Sequence, residues 1–162
     1  MITKIYIILL FTVINVQAQL DIKVNSKTNF SIGDTLKFNS KILNEERTLN
    51  IYLPESYHQS ENKNLYPVIY LLDGSKDEDF IHIAGLVQFG SFSWINMIPE
   101  TIVVGIANVD RKRDFTYHTD IKELKEEFPT TGKSEAFISF IESELKPLIK
   151  KSYRINKCSP IY

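Results

Sequence analysis

The segment YPVIYLLDGS, Tyr66 to Ser75, constrains the fold of this chain more than any other. From Pro67 to Leu72 the residues do not alternate between apolar and polar, and Ile, Val, Leu and Tyr dominate. A run of this length and kind suits a strand covered on both faces, as in a parallel sheet lying between helices. Pro67 fits only the first position, because it has no N–H for the ladder. The strand stops at Asp73-Gly74-Ser75. In open parallel sheets ligands bind beyond the carboxyl ends of the strands, so these three residues are the first candidates for a site. A glycine there lets backbone N–H groups turn toward a ligand, and such groups stabilise a developing oxyanion. An ordinary Asp-Gly turn explains the same three residues, and taken alone they need nothing more.

The rest of the chain supplies partners for such a strand. Thr101 to Ile106 (TIVVGI) is a second continuous apolar run. Upstream, Leu36, Phe38 and Ile42 alternate with polar residues, and Leu49, Ile51 and Leu53 do the same within Thr48 to Leu53. With Glu45-Glu46-Arg47 read as a turn, this predicts an antiparallel hairpin. Asp79 to Phe89 reads as a weak helix with Ile81, Ile83, Ala84, Leu86 and Val87 on its apolar side, broken by Gly90 to Ser93. Asn108 to Asp120 reads as a charged and aromatic loop. Ser134 to Lys146 is the clearest helix. Phe137, Phe140, Ile141, Leu145, Leu148 and Ile149 form its apolar stripe, and Pro147 is expected to kink or restart it. Strand, helix, strand, helix in the second half predicts crossovers and an α/β fold.

At 162 residues the chain suits one domain, and 43% hydrophobic with 24% charged residues is globular composition. Lys and Arg number 19 against 20 Asp and Glu. No single-sign block points to nucleic acid or to an anionic membrane. The first residues read as a separate object. Lys4 is a short basic region, Ile5 to Val16 an apolar one, and Val16-Gln17-Ala18 a small-x-small cleavage signal. Residues 1–18 are therefore expected to be a secretory signal peptide cleaved after Ala18, placing the protein in the periplasm or outside the cell. The apolar stretch is shorter than the ~20 residues that span a bilayer, so no membrane span is expected after cleavage. Residues 19–35 read as a polar segment and 36–162 as the folded domain. Cys158 is the one cysteine; it cannot form an internal disulfide and has no neighbouring His to activate it.

Local motifs add little. Gly132-Lys133-Ser134 resembles the tail of a phosphate-binding loop, but the glycine required five residues before the Gly-Lys pair is replaced by Glu127. It also lacks the preceding buried strand of a nucleophile elbow. Thr131 or Ser134 is expected to cap the following helix. His58, His82 and His118 stand in no metal-ligand spacing, so no metal or cofactor is expected. Only His118, within an Arg-Asp-Phe-Thr-Tyr-His loop, could approach a site.

Several segments taken together resemble one family. Arg47 to Tyr57 (RTLNIYLPESY) and Tyr66 to Gly74 (YPVIYLLDG) are similar to the opening strands of the putative-esterase, or esterase D-like, branch of the α/β-hydrolases. Pro99 to Asp110 followed by Arg111-Lys112-Arg113-Asp114-Phe115-Thr116 resembles its fourth strand and R-x-R-D-x-T loop. Gly132 to Tyr153 resembles its next helix, with Phe-Ile-x-x-Glu-Leu-x-Pro-x-Ile at Phe140 to Ile149. The resemblance runs from about Leu36 to Tyr153. It implies a serine hydrolase of small-molecule esters, with its nucleophile on an elbow after a fifth strand and its acid and His further on. None of these three lies in this sequence, so no catalytic residue is assigned. The expectation is a truncated α/β-hydrolase fold: a leading antiparallel hairpin, then parallel strands with crossover helices. Gly74 and Ser75 are its oxyanion-hole backbone candidates, and Asp73, Arg113 and Asp114 its cleft-loop candidates. On this topology the third strand is central. Without a fifth, its edge would be open and the helix stripe around Phe137 and Phe140 partly uncovered. Two other functions fit less of the sequence. One is an exported binding domain holding an anion at Arg111 and Arg113. The other is a different small enzyme using His118 and Asp114 as acid and base.

Overall fold

The computed structural model describes residues 22–156. The signal peptide expected at 1–18 and Cys158 lie outside the described residues. The chain divides into two units at Ser31. In the described part of the first, residues 22–30, there is no helix or strand. All that follows concerns the second.

Its centre is a four-stranded mixed sheet of order β1-β2-β4-β3. Strand β1 (Asp34–Ser40) pairs antiparallel with β2 (Glu45–Tyr52), and β2 antiparallel with β4 (Ile102–Ile106). Strand β3 (Val68–Leu71) runs parallel to β4, with Val68 opposite Ile102 and Tyr70 opposite Val104. The hairpin and the parallel pair are as the sequence predicts. The turn is not. It falls at residues 41–44, where Asn44 takes a left-handed φ of 54°, and Glu45, Glu46 and Arg47 belong to β2. These charged residues look like turn material only because their buried partners lie far along the chain.

Period-two alternation gives the sheet two apolar faces. One carries Leu49, Ile51, Val68, Tyr70, Ile102, Val104 and Ile106. It is covered by a rod built of α4 (Ser134–Phe140), a wider π-helical turn (Ile141–Leu145) and α5 (Lys146–Ser152). The other face, with Tyr52 and Val103, is covered by α1 (Phe80–Ser91). The continuous apolar runs are thus explained: both faces of β3 and β4 are under helices.

The helices depart from expectation in two ways. First, α1 buries Phe80, Ala84, Val87 and Gly90, while Ile81 and Leu86 point outward. Apolar residues on all its sides left the sequence with no phase to read. Second, no hydroxyl caps α4. Thr131 bonds the Thr116 hydroxyl, and Ser134 Oγ is buried without a hydrogen-bond partner. The amides of Lys133 and Ser134 donate instead to the carbonyls of Arg113 and Thr116. Pro147, as expected, restarts the rod, standing in the first turn of α5. A proline lacks an N–H and crowds the carbonyl four residues back. The preceding turn widens to accommodate it, with Lys146 N–H donating to Ile141 C=O, five residues back. Phe137 and Phe140 are 3% and 0% exposed, so the stripe is not left uncovered. Phe140 stacks on Phe38 and Phe137 packs at a tilt against Phe115, and these contacts close the gap that the hydrolase topology suggests. A short helix, α2 (Arg111–Phe115), lies within the segment read as loop, and another, α3 (Lys122–Glu127), follows it.

Candidate functional site

At the carboxyl ends of β3 and β4 the two backbones nearly touch. A side chain on Gly74 would place Cβ 2.4 Å from Gly105 Cα, and one on Gly105 would come within 2.6 Å of Gly74 O. Gly74 has an ordinary φ, so close approach, and not backbone freedom, requires glycine here. Asp73, just before it, takes the left-handed conformation (φ 51°) that Asp tolerates better than most residues. This bend lifts Asp73 and Ser75 out of the sheet. Gly74 N–H donates to Ile106 C=O at 3.0 Å, and buried Asn50 Nδ2 donates to Gly74 C=O at 2.8 Å.

A polar cluster closes over this point. Arg111 grips the Asp73 carboxylate with two bonds, Nε to Oδ1 at 2.8 Å and Nη2 to Oδ2 at 3.1 Å. Asn108 Nδ2 donates to Asp73 Oδ1 at 2.8 Å and to both Glu78 oxygens at 3.0 and 3.1 Å. The Arg111 guanidinium, helped by Asn108, holds the Asp73 carboxyl below the usual carboxylate range. Asn108 and the Ser75 hydroxyl do the same for Glu78. Of the two oxyanion candidates, Gly74 has its N–H committed to the sheet. Ser75 N–H carries a longer bond, 3.3 Å, to Glu78 Oε2. Ser75 N–H is thus the one of the two that lies outside the sheet ladder, and the Glu78 carboxylate occupies it.

Arg113 and Asp114 sit in a different place. Asp114, 2% exposed, accepts from Arg47 Nη1 at 2.8 Å and from Arg113 Nε at 2.7 Å. Arg113 also makes two bonds to Glu45, at 2.6 and 2.8 Å. Arg47, 1% exposed, adds bonds to Glu45 and to Ala107 C=O, and its guanidinium carbon lies 5.4 Å from the ring centres of both Phe137 and Phe140. Arg113 holds the Glu45 carboxyl below its ordinary value. Two cations and two carboxylates thus tie β2, the exit of β4, α2 and α4 together. The network fixes the loop that carries Asn108 and Arg111, and its own groups face inward.

His118 does not join Asp114. It is exposed, and its Nε2 lies 3.1 Å from Asp120 Oδ1. Sequence reasoning missed Asn108 and Glu78. Asn108 stands two residues past the end of β4, and the strand-end rule that singled out Asp73 would have found it too. Among the described residues no group of His, Cys, Asp or Glu is placed to hold a metal, and no helix is long and apolar enough to cross a membrane.

A mixed sheet covered by helices on both faces, with polar loops gathered at the carboxyl ends of its parallel strands, defines an α/β-hydrolase-like protein. The chain belongs to the Putative esterase family, whose model matches residues 40–159. It is 34% identical over 125 residues to the ferri-bacillibactin esterase BesA of Bacillus subtilis (strain 168), a match covering 70% of this chain and 43% of that protein. The solved structure of an IroE-like serine hydrolase from Shewanella oneidensis is similar with a TM-score of 0.71 at 36% identity, covering 80% of this chain and 41% of the other. The BES protein from Bacillus cereus has a TM-score of 0.67 at 27% identity, covering 87% and 55%. The chain spans about half the length of these relatives.

Proposed function

We propose that this chain is the amino-terminal part of an exported serine-type hydrolase of small-molecule esters. It supplies the sheet, the Ser75 oxyanion donor and the Arg111 loop, and a further part of the fold supplies the nucleophile. That no Gly-x-Ser-x-Gly occurs in the 162 residues supports the reading that the chain alone is inactive. The observation that carries this reading is the 34% identity to a ferri-bacillibactin esterase. It also suggests the substrate, an ester-linked iron chelator.

The purified chain, residues 19–162, should hydrolyse p-nitrophenyl acetate no faster than buffer. Turnover abolished by changing His118 to Ala would replace this reading with that of a small acid–base enzyme. Residues 1–18 fused to a leaderless alkaline phosphatase should deliver activity outside the cytoplasm; phosphatase kept inside would remove export from the proposal. The second reading, a ligand-binding or interaction domain without chemistry, finds neither arginine of the loop free for an anion: Arg113 is held by Glu45 and Asp114, and Arg111 by Asp73. Reading on past the Tyr162 codon separates the two. A Gly-x-Ser-x-Gly within a couple of dozen codons supports the hydrolase; its absence in every frame favours the binding domain.

A further inference from the structure

From Phe80 to Pro99 the chain carries no Asp, Glu, Lys or Arg, and His82 is the one titratable side chain. Helix α1 turns Phe80, Ala84 and Val87 to the sheet, while Leu86 and Phe89, one turn apart on its outward side, are exposed. The segment that follows folds back on the end of the helix. Met97 and Ile98 N–H both donate to Gly90 C=O, at 2.9 and 3.2 Å. Ile95 and Asn96 N–H donate to Phe92 C=O, at 2.9 and 2.8 Å, and Asn96 turns the chain with a left-handed φ of 47°. Phe92 stacks on Trp94 with ring centres 4.5 Å apart and meets Phe89 edge-on at 6.2 Å. Leu86, Phe89, Trp94, Met97 and Ile98 thus share one apolar face on a hydrogen-bonded backbone, with Trp94 and Met97 74% and 76% exposed.

Single exposed apolar side chains are ordinary, but a contiguous uncharged face is not. The exposed surface of these five residues comes to roughly 600 Å², the upper end for the largest patch on a monomer. Its make-up is that of an interface centre, rich in aromatic residues and Met and empty of charge. The bonded turn also leaves little backbone freedom to lose on binding.

We infer that the Leu86–Ile98 face is a self-association surface, on which two copies of this chain pair about a two-fold axis with Trp94 and Met97 at its centre. Charge and area select a second copy. A charged partner would bury its charges here without counter-ions. Segments that lie on membranes join an apolar side to Lys and Arg, and the nearest cations along the chain are Lys76 and Arg111. A neutral face sets no like charges against its own copy, and a two-fold axis brings the same patch from both sides. Two such faces bury roughly 1,200 Å² in all, the lower end for a specific, stable interface. Gly105 lies against Phe80, so α1 starts at the carboxyl end of β4 and finishes away from it. Pairing at its far end leaves Asp73 and Ser75 open. The inference does not depend on the hydrolase reading.

Trp94 is the one tryptophan in the chain, so its emission reports on this face directly. The test follows purified residues 19–162 from sub-micromolar to high micromolar concentration by sedimentation and by acrylamide quenching. The expected result is a monomer–dimer step, along which Trp94 emission moves to shorter wavelength and quenching falls about twofold as water is excluded. Met97→Glu sets like charges across the axis and should weaken the dimer about a hundredfold; Met97 is exposed, so its urea midpoint should match that of the unaltered chain. Association at the open edge of β3, beside the groove of about 560 Å³ walled by Glu142, Lys146 and Lys150, leaves Trp94 in water and is told apart by the same emission. Trp94 equally quenchable at every concentration overturns the inference. So does shielding that persists on dilution, which would mean that the chain covers the face itself. A shift produced only by phosphatidylcholine vesicles, or a dimer that Met97→Glu leaves intact, overturns it as well.

Discussion

At the scale of single residues, the carboxyl end of β3 is defined by Gly74 against Gly105. Their backbones leave no room for a Cβ, and backbone gives way less readily than side chains. Gly74→Ala should destabilise the domain by about 1–3 kcal/mol through overpacking, read as a lower urea midpoint with an unchanged slope. Asp114 answers to a different force. It is buried and shared by two guanidinium groups, and removing one partner of such a network leaves uncompensated buried charge. Asp114→Asn should cost about 3–5 kcal/mol, measured the same way. The sequence marked Asp73, Gly74 and Ser75 correctly as the end of a buried strand. It could not show why Gly74 must be glycine, because the reason is Gly105 on the neighbouring strand. Arg113 and Asp114 were placed in the cleft for a related reason. Their partners, Arg47 and Glu45, lie on a strand that local pattern had read as a turn.

At the scale of elements, the β1–β2 turn and the helical rod are one device. The Glu144 carboxylate, on the π-helical turn, accepts from Ser40 Oγ at 2.5 Å and from the N–H groups of Lys41 and Ile42 at 2.9 and 3.2 Å. Glu144→Ala should cost about 1–2 kcal/mol, after allowance for solvent around the pair. It should also speed amide exchange at Lys41 and Ile42 ahead of the rest of the sheet. Unchanged exchange there would mean that the turn holds itself. The ion network sets a pH dependence at the same scale. Arg113 lowers the Glu45 pKa in the folded state. Its stabilisation is therefore complete above the ordinary glutamate range and is lost as pH falls through the depressed folded value. Glu45→Gln should flatten the acid limb of a stability–pH curve and leave the neutral plateau lower. Strand existence was legible because β3 and β4 are buried on both faces. Helix phase in α1 was not, because apolar residues on every side erase the periodicity that would reveal it.

At the scale of the whole molecule, the question is what an open parallel edge does when no partner is present. Strand β3 is apolar, both its faces are covered, and beyond Tyr66 its outer hydrogen-bonding groups have no strand partner among the described residues. Such an edge pairs with whatever extended chain it meets. Association through that edge is therefore expected when no partner is present. Residues 19–162 should therefore sediment as a distribution that shifts to larger species between low and high micromolar concentration, with loss of soluble protein on standing. Introducing charge along the groove wall should slow this without touching the core. Lys146 sits there and already pairs with Glu142, so Pro147→Glu adds a charge on the rim next to it. A mature chain that stays monomeric at several hundred micromolar and unfolds in one cooperative step would show that the edge is already satisfied within the chain.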